Sequence, residues 1–295
     1  MRIEHRNIPF LDWHTGVRIV IPEKEDHSKA PIILLHGGPG STANYFEVLD
    51  AVSNTGRKVI SYDQLGCGRS FLENHEELWT MDTWLDELEN VREKLHLDTC
   101  HILGQSFGGM LAIAYEIERK PEGVRSYILS STLSETKVWA SEQHRMIERD
   151  LSDDEILAIL TAEETGNYSS EEYISANDHY MRLHCAEVTD DSPECIRRQK
   201  KSGTECYLTA WGPNEYTPTG TLKDYNYTAR MNEFRSPACI MHGDSDLCTD
   251  AVVKTMAQNL PTHEIHTFSP ARHMPFAECR EEYISILNAW LESHD

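Results

Sequence analysis

The sequence predicts an α/β fold, with a mostly parallel sheet, helices on both faces of the sheet and an inserted helical segment. Four continuous apolar runs, at residues 31–36, 58–62, 100–103 and 127–131, have the composition of strands that are buried on both faces. Helix-like segments separate these runs. Such β-α-β-α alternation is typical of a parallel sheet that is covered by helices.

Other elements follow from local patterns. They are an edge hairpin, two helices, two strands and an amphipathic closing helix, at residues 8–21, 44–52, 80–95, 238–242, 264–268 and 280–291. The turn of the hairpin is predicted around residues 12–16.

Residues 134–234 differ in character from the rest of the chain. They are polar and helix-like, and they contain no buried-strand run. Residues 152–162 and 170–185 have the polar starts of capped surface helices. We therefore expect an α/β core formed by residues 1–133 and 235–295, with a helical cap, 134–234, inserted between the sixth and seventh strands.

Charge and cysteine content restrict the class of protein. The 295 residues carry 27 Lys+Arg and 49 Asp+Glu, a net charge of −22, which argues against nucleic acid or an anionic membrane as a partner. This charge favours a cationic ligand or serves solubility alone. The eight cysteines form no C-x-x-C pair, and we expect reduced thiols in a cytoplasmic protein. We also expect no signal peptide and no membrane span; the oligomeric state is left open.

Residues 104–108, Gly-Gln-Ser-Phe-Gly, have the form G-x-S-x-G between a predicted strand and a predicted helix. A nucleophile elbow requires this context, because its serine lies on a sharp turn and needs small neighbours. The alternative is an ordinary Gly/Ser turn. We expect Ser106 to be a nucleophile.

A serine nucleophile needs a base and an acid that orients the base. Downstream, Asp244 and Asp246 both follow the strand at 238–242, and His273 follows the last strand. These loops lie at the carboxyl ends of strands, where the sites of such folds collect. His242, His263 and His266 lie within or before strands, and we expect them to be structural.

An oxyanion hole needs two N–H donors, one from the residue after the serine and one from an earlier loop. Phe107 is placed to supply the first donor and Gly38, in the loop 36–40, the second. No G-K-[ST] follows this glycine-rich loop, so it is not a P-loop. H-E-x-x-H is also absent, and we expect no metal or other cofactor.

Four motifs occur in one order: H-G-G-P-G at 36–40, D-Q-L-G-C-G-R-S at 63–70, G-Q-S-F-G-G at 104–109 and G-P-N-E-Y at 212–216. Together they resemble the prolyl aminopeptidase (proline iminopeptidase) family of α/β-hydrolases, which includes L-amino-acid amidases. The resemblance covers essentially the whole chain and implies the α/β-hydrolase fold. It also implies that the catalytic acid is Asp246 and that Glu215 binds the α-amino group of the substrate.

Two positions depart from the family pattern. Some members carry a second amine-binding glutamate directly after the catalytic aspartate, where this chain has Leu247. We expect Leu247 to form an apolar wall beside the amine and to permit several small or apolar N-terminal residues besides proline. Phe107 replaces the Tyr or Trp of many members, and we expect it to keep an aromatic wall.

The sequence therefore predicts a serine aminopeptidase that releases N-terminal proline, or another small residue, from short peptides by an acyl-enzyme mechanism. Its catalytic residues are Ser106, Asp246 and His273. One alternative is an amidase or esterase that acts on amino-acid amides, arylamides or lactones, which Leu247 keeps open. The other is an α/β-hydrolase without activity that serves as a binding module.

Overall fold

The computed structural model describes all residues, Met1–Asp295, and its centre is one eight-stranded sheet. The strands are β1 (Arg2–Phe10), β2 (Trp13–Ile21), β3 (Ile32–Leu35), β4 (Val59–Asp63), β5 (Cys100–Gln105), β6 (Val124–Ser130), β7 (Ala238–Gly243) and β8 (His263–Phe268). Their order in the sheet is β1-β2-β4-β3-β5-β6-β7-β8. β1 and β2 are antiparallel to each other, and β2 is antiparallel to β4, whereas all other neighbours are parallel. The predicted mostly parallel sheet is confirmed.

The turn of the first hairpin differs from the prediction. It lies at residues 11–12, and Gly16 is inside β2. A Cβ on Gly16 would collide with the side chain of Arg69. Gly16 is therefore required by close packing of the strand and does not mark the turn.

Ten helices accompany the sheet. They are α1 (Met81–Lys94), α2 (Phe107–Ala114), α3 (Thr136–Asp150), α4 (Asp153–Thr165), α5 (Glu171–His184), α6 (Glu194–Arg197), α7 (Thr204–Ala210), α8 (Asp250–Ala257), α9 (Pro275–Glu278) and α10 (Arg280–Ser293). Residues 44–52, predicted as a helix, lie within a 3₁₀ segment, Ala43–Thr55.

Two apolar cores cover the two faces of the sheet. Along β3, Ile33 and Leu35 belong to the larger core and Ile32 and Leu34 to the smaller one, because successive side chains of a strand point to opposite faces. Burial on both faces explains why the central strands have continuous apolar sequences.

The helices α3–α7 lie between β6 and β7 in the chain. Ser152 caps α4 with a reciprocal capping box to Glu155, and Ser170 caps α5, as the polar residues at these helix starts predict. The division of the chain into a core and an inserted cap stays a prediction.

None of the helices is both long enough and apolar enough to cross a membrane. All eight cysteines are free thiols.

Candidate active site

Ser106 lies on a sharp turn between β5 and α2. Its backbone has φ 55° and ψ −123°, a conformation that residues with a side chain rarely adopt. A Cβ on Gly104 would collide with the backbone of Gly108, and one on Gly108 would collide with the carbonyl oxygen of Leu35. The glycines of the motif thus allow the helix to start directly above the strands, and the serine is left at the apex.

Backbone hydrogen bonds hold this turn in place. The Ser106 N–H donates to the carbonyl of Ser130 at 3.0 Å, and the Ser106 carbonyl accepts from the Gly109 N–H at 2.8 Å. The hydroxyl of Thr132 donates to the same carbonyl at 2.6 Å. The side chain of Ser106 is therefore carried on a turn whose polar backbone groups are bonded.

Asp246 is buried, and its carboxylate accepts four hydrogen bonds. Oδ1 accepts from His273 Nδ1–H at 2.7 Å and from the Cys248 N–H at 2.9 Å. Oδ2 accepts from the Ser131 hydroxyl at 2.6 Å and from the Gly243 N–H at 3.1 Å. A carboxylate with all its bonds made in this way fixes the orientation of the imidazole.

His273 is buried at the start of the segment that follows β8, and its backbone N–H donates to the carbonyl of Cys185 at 3.1 Å. Burial lowers the pKa of the ring, but the charge and hydrogen bond of Asp246, with the charge of Glu215, outweigh burial and raise the pKa above its ordinary value. The hydrogen bonds of the chain include none between His273 and Ser106, although both residues line the same cavity. Catalytic hydrogen bonds often form only when substrate is bound.

The competing residues lie elsewhere. Asp244 is exposed, and it accepts hydrogen bonds from the Ser269 hydroxyl at 2.5 Å and from the Ala271 N–H at 3.1 Å. It thus braces the loop before His273 without contacting the imidazole. The competing histidines lie in β7 and β8 and do not line the cavity: His242, His263 and His266.

The loop after β3 lies against the serine. A Cβ on Gly37 would stand 3.0 Å from the Cβ of Ser106, so a larger residue would crowd the serine side chain. Gly38 has φ +119°, and its N–H has no partner among the hydrogen bonds of the chain. The Phe107 N–H, at the first position of α2, has none either, as is usual for the first turn of a helix.

Tyr45 and Gln105, which sequence reasoning did not single out, connect this loop to the other parts of the site. The Tyr45 hydroxyl accepts from the Gly37 N–H at 2.6 Å and donates to Gln105 Oε1 at 2.8 Å. Gln105 Nε2 donates to the carbonyl of His273 at 3.2 Å. Gln105 is part of the G-x-S-x-G motif, which is the one sequence signal for its role, whereas nothing local points to Tyr45.

A cavity of about 490 Å³ brings the predicted residues together. Ser106, His273, Gly38 and Glu215 all line it. Asp246 and Phe107 do not line it. Asp246 lies behind His273 and is hydrogen-bonded to its ring, and Phe107 has an unpaired backbone N–H at the start of α2.

Glu215 lies on a tight loop after α7 and is half-buried. Asn214 shapes this loop, because its side-chain oxygen accepts from the N–H groups of Tyr216 and Thr217 at 3.0 and 2.8 Å. Glu215 Oε1 accepts from the Tyr207 hydroxyl at 2.7 Å. Burial raises the pKa of Glu215, against the opposing effects of Tyr207 and of His273. Pairing with a cationic ligand stabilises the ionised form of such a buried carboxylate.

Two expectations about the walls of the site are wrong. Leu247 is fully buried in the larger core and does not line the cavity. Its carbonyl accepts from Gln143 Nε2 at 2.8 Å, so the residue joins the loop to α3. Phe107 packs edge-to-face on Trp84, at 4.9 Å between ring centroids, and also lies outside the cavity lining. Leu247 therefore gives no support to the amidase or esterase alternative.

Comparison with known proteins gives a consistent result over the whole chain. The family model of the alpha/beta hydrolase fold matches residues 30–278. Proline iminopeptidase of Clostridioides difficile (strain 630) is 51% identical over 296 residues, and that of Lactobacillus delbrueckii subsp. bulgaricus is 50% identical over 298, each with 100% of both chains covered. The crystal structure of proline iminopeptidase from Mycobacterium smegmatis superposes with a TM-score of 0.88 at 28% identity, covering 99% of this chain and 98% of that one. The chain therefore belongs to the α/β-hydrolase family and, within it, to the proline iminopeptidases.

Proposed function

We propose that this chain is a serine aminopeptidase that releases an N-terminal proline, or another small residue, from short peptides. The observation that carries the proposal is that one cavity is lined by Ser106, His273 and Glu215. The cavity thus contains a nucleophile, Ser106, its base, His273, and a carboxylate, Glu215, that is suited to bind an α-ammonium group. The names of the relatives at about 50% identity support the same activity.

In the first half of the reaction, the Ser106 hydroxyl attacks the carbonyl carbon of the first residue. His273 Nε2 accepts the hydroxyl proton, while Asp246 holds the Nδ1–H at 2.7 Å and stabilises the imidazolium. The tetrahedral intermediate then collapses, and the imidazolium protonates the leaving amine. This leaves the first residue bound to Ser106 as an ester.

In the second half, His273 takes a proton from water, and the resulting nucleophile attacks the ester. Collapse of the second intermediate returns the proton to the Ser106 oxygen and releases the free amino acid. The N–H groups of Gly38 and Phe107 would stabilise the negative oxygen in both intermediates. Removal of one such donor generally reduces kcat by about 10²–10³-fold.

Glu215 would select the N-terminal residue by pairing with its ammonium group. Tyr207 orients the carboxylate with a 2.7 Å hydrogen bond, and Trp139 Nε1 donates to the Glu215 backbone carbonyl at 2.9 Å. A charge anchored at a fixed place beside Ser106 allows only the first peptide bond to reach the nucleophile. The anchor thus explains cleavage of one residue at a time.

The eight free thiols, six of them buried, support a cytoplasmic location, because a reducing compartment keeps thiols in this form. We place the enzyme and its small peptide substrates there.

The test is a panel of aminoacyl arylamides, each with a free and with an N-acetylated amine. We expect hydrolysis of proline arylamide and of some other small residues, and a loss of at least about tenfold in kcat/KM on acetylation, since a charge-assisted bond is removed. Equal rates for free and acetylated substrates would contradict an aminopeptidase. Preference for simple esters over the free-amine arylamides would favour the esterase alternative.

A further inference from the structure

Lys200 lies in the cavity with the predicted catalytic residues, in the segment between α6 and α7. Its ammonium stands over the ring of Tyr45, at 5.3 Å from the centroid. The Tyr45 hydroxyl is bonded to Gly37 and to Gln105, the residue before Ser106. One aromatic side chain therefore separates Lys200 from the loop and turn around the nucleophile.

Lys200 is the only lysine or arginine that lines the cavity, and it forms no ion pair with the chain. Burial lowers its pKa, and the groups that oppose this effect are the thiols of Cys195 and Cys185, not a carboxylate. A half-buried ammonium group without a carboxylate partner is unfavourable in the free protein. An anionic group on a ligand would offset this unfavourable term.

The remaining formal charge in the lining, apart from His273, is that of Glu215. The cavity thus offers one carboxylate and one ammonium group with the nucleophile in the same space. A short free peptide carries the complementary pair, an α-ammonium and a C-terminal carboxylate. In a dipeptide these ends are about 7 Å apart in the extended state, at 3.3–3.6 Å per residue. A cavity of about 490 Å³ is within the usual range for a ligand of this size.

Resting on the function proposed above, we propose that Lys200 binds the C-terminal carboxylate of the leaving amino acid, so that the preferred substrates are dipeptides with a free carboxylate. Glu215 then holds the ammonium end and Lys200 the carboxylate end, with the scissile bond between them. A chain with a net charge of −22 repels the carboxylate of a substrate. The ammonium group of Lys200 offsets this repulsion locally.

The experiment compares the dipeptide Pro-Gly with its C-terminal amide in the wild type, in Lys200→Met and in Lys201→Met. Lys201 is the matched control, because it is exposed, lies outside the cavity lining and places its ammonium over the Phe71 ring. Both variants lose one positive charge. The two substrates differ in the basicity of their leaving amines, but this difference is the same for the wild type and both variants. The quantity to compare is therefore the acid-to-amide ratio of kcat/KM.

We expect Lys200→Met to lower this ratio by about ten- to 150-fold, as for the loss of a hydrogen bond to a charged group, and Lys201→Met to leave it within about twofold. The proposal is overturned if Lys200→Met reduces acid and amide equally, as a structural role through Tyr45 would, or if Lys201→Met has the same effect. If the wild type hydrolyses no proline substrate at all, the proposed function fails instead.

Discussion

Asp246→Asn removes the charge beside His273 and changes little else in size. The carboxylate accepts His273 Nδ1–H and the Cys248 N–H on one oxygen, and the Ser131 hydroxyl and the Gly243 N–H on the other. An asparagine has one acceptor oxygen and one NH₂ group. In either orientation the NH₂ group faces a backbone N–H donor that cannot turn away.

The structure therefore predicts two separate losses. If the amide oxygen faces His273, the Gly243 N–H loses its acceptor; if the NH₂ group faces His273, the Cys248 N–H loses it and the imidazole is driven into the wrong tautomer. An unsatisfied buried N–H costs about 1–3 kcal/mol of stability. Loss of the orienting carboxylate generally costs about 10⁴-fold in kcat.

The assay is kcat and kcat/KM on proline arylamide, together with the free energy of unfolding in urea. Asp244→Asn is the matched control, since Asp244 is exposed and bonds Ser269 and Ala271 in the loop after β8 without contacting the imidazole. We expect this control to lose less than about tenfold in kcat, because the substitution weakens only the bonds to Ser269 and Ala271. A larger loss in Asp244→Asn than in Asp246→Asn would refute the assignment of Asp246 as the orienting acid.

Three further predictions concern the anchor, the base and the turn. Glu215→Gln should lower kcat/KM for free-amine arylamide by about ten- to 150-fold and affect the N-acetylated substrate much less; equal losses for both would exclude Glu215 as the amine anchor. His273 must be neutral to accept a proton, and its pKa is raised above the ordinary value of 6.5. The pH profile of kcat/KM should therefore rise through a limb whose midpoint lies above 6.5. A midpoint below 6.5 would contradict the environment described for the ring. Gly108→Ala should lower the free energy of unfolding by at least about 1–3 kcal/mol, because the new Cβ collides with the Leu35 carbonyl. Gly166 has open space around it, so Gly166→Ala should cost only the αL strain of about 1–2 kcal/mol. Thermal or urea unfolding measures both.

The sequence predicts the central strands well because they are buried on both faces and leave continuous apolar runs. The edge strands are harder to recognise. Most of β1 is exposed, and its alternation with polar residues hides its true start at Arg2. The hairpin turn is predicted around residues 12–16, but the turn lies at 11–12, and Gly16 is required by close packing inside β2.

The residues of the candidate site also differ in how well the sequence predicts them. Ser106 and Gly38 lie on loops with strong local sequence signals, so their motifs predict where they fall. The local sequence leaves Asp244 and Asp246 open, and only the family resemblance selects Asp246. Tyr207 and Lys200 reach the cavity only through the packing of distant segments, and no local sequence pattern indicates that they line it. The expectation for Leu247 was wrong because adjacency to Asp246 in sequence does not fix the direction of a side chain.

The proposed release of an N-terminal residue depends on Ser106 as the nucleophile. The most direct measurement is mass-spectrometric analysis of a short proline-initiated peptide after incubation with the wild type and with Ser106→Ala, whose folding is checked by circular dichroism. We expect the wild type to yield free proline and the peptide shortened by one residue, and Ser106→Ala to form both at least about 10³-fold more slowly. Retention of a tenth of the wild-type kcat by Ser106→Ala would exclude Ser106 as the nucleophile, and internal fragments in place of free proline would exclude an aminopeptidase.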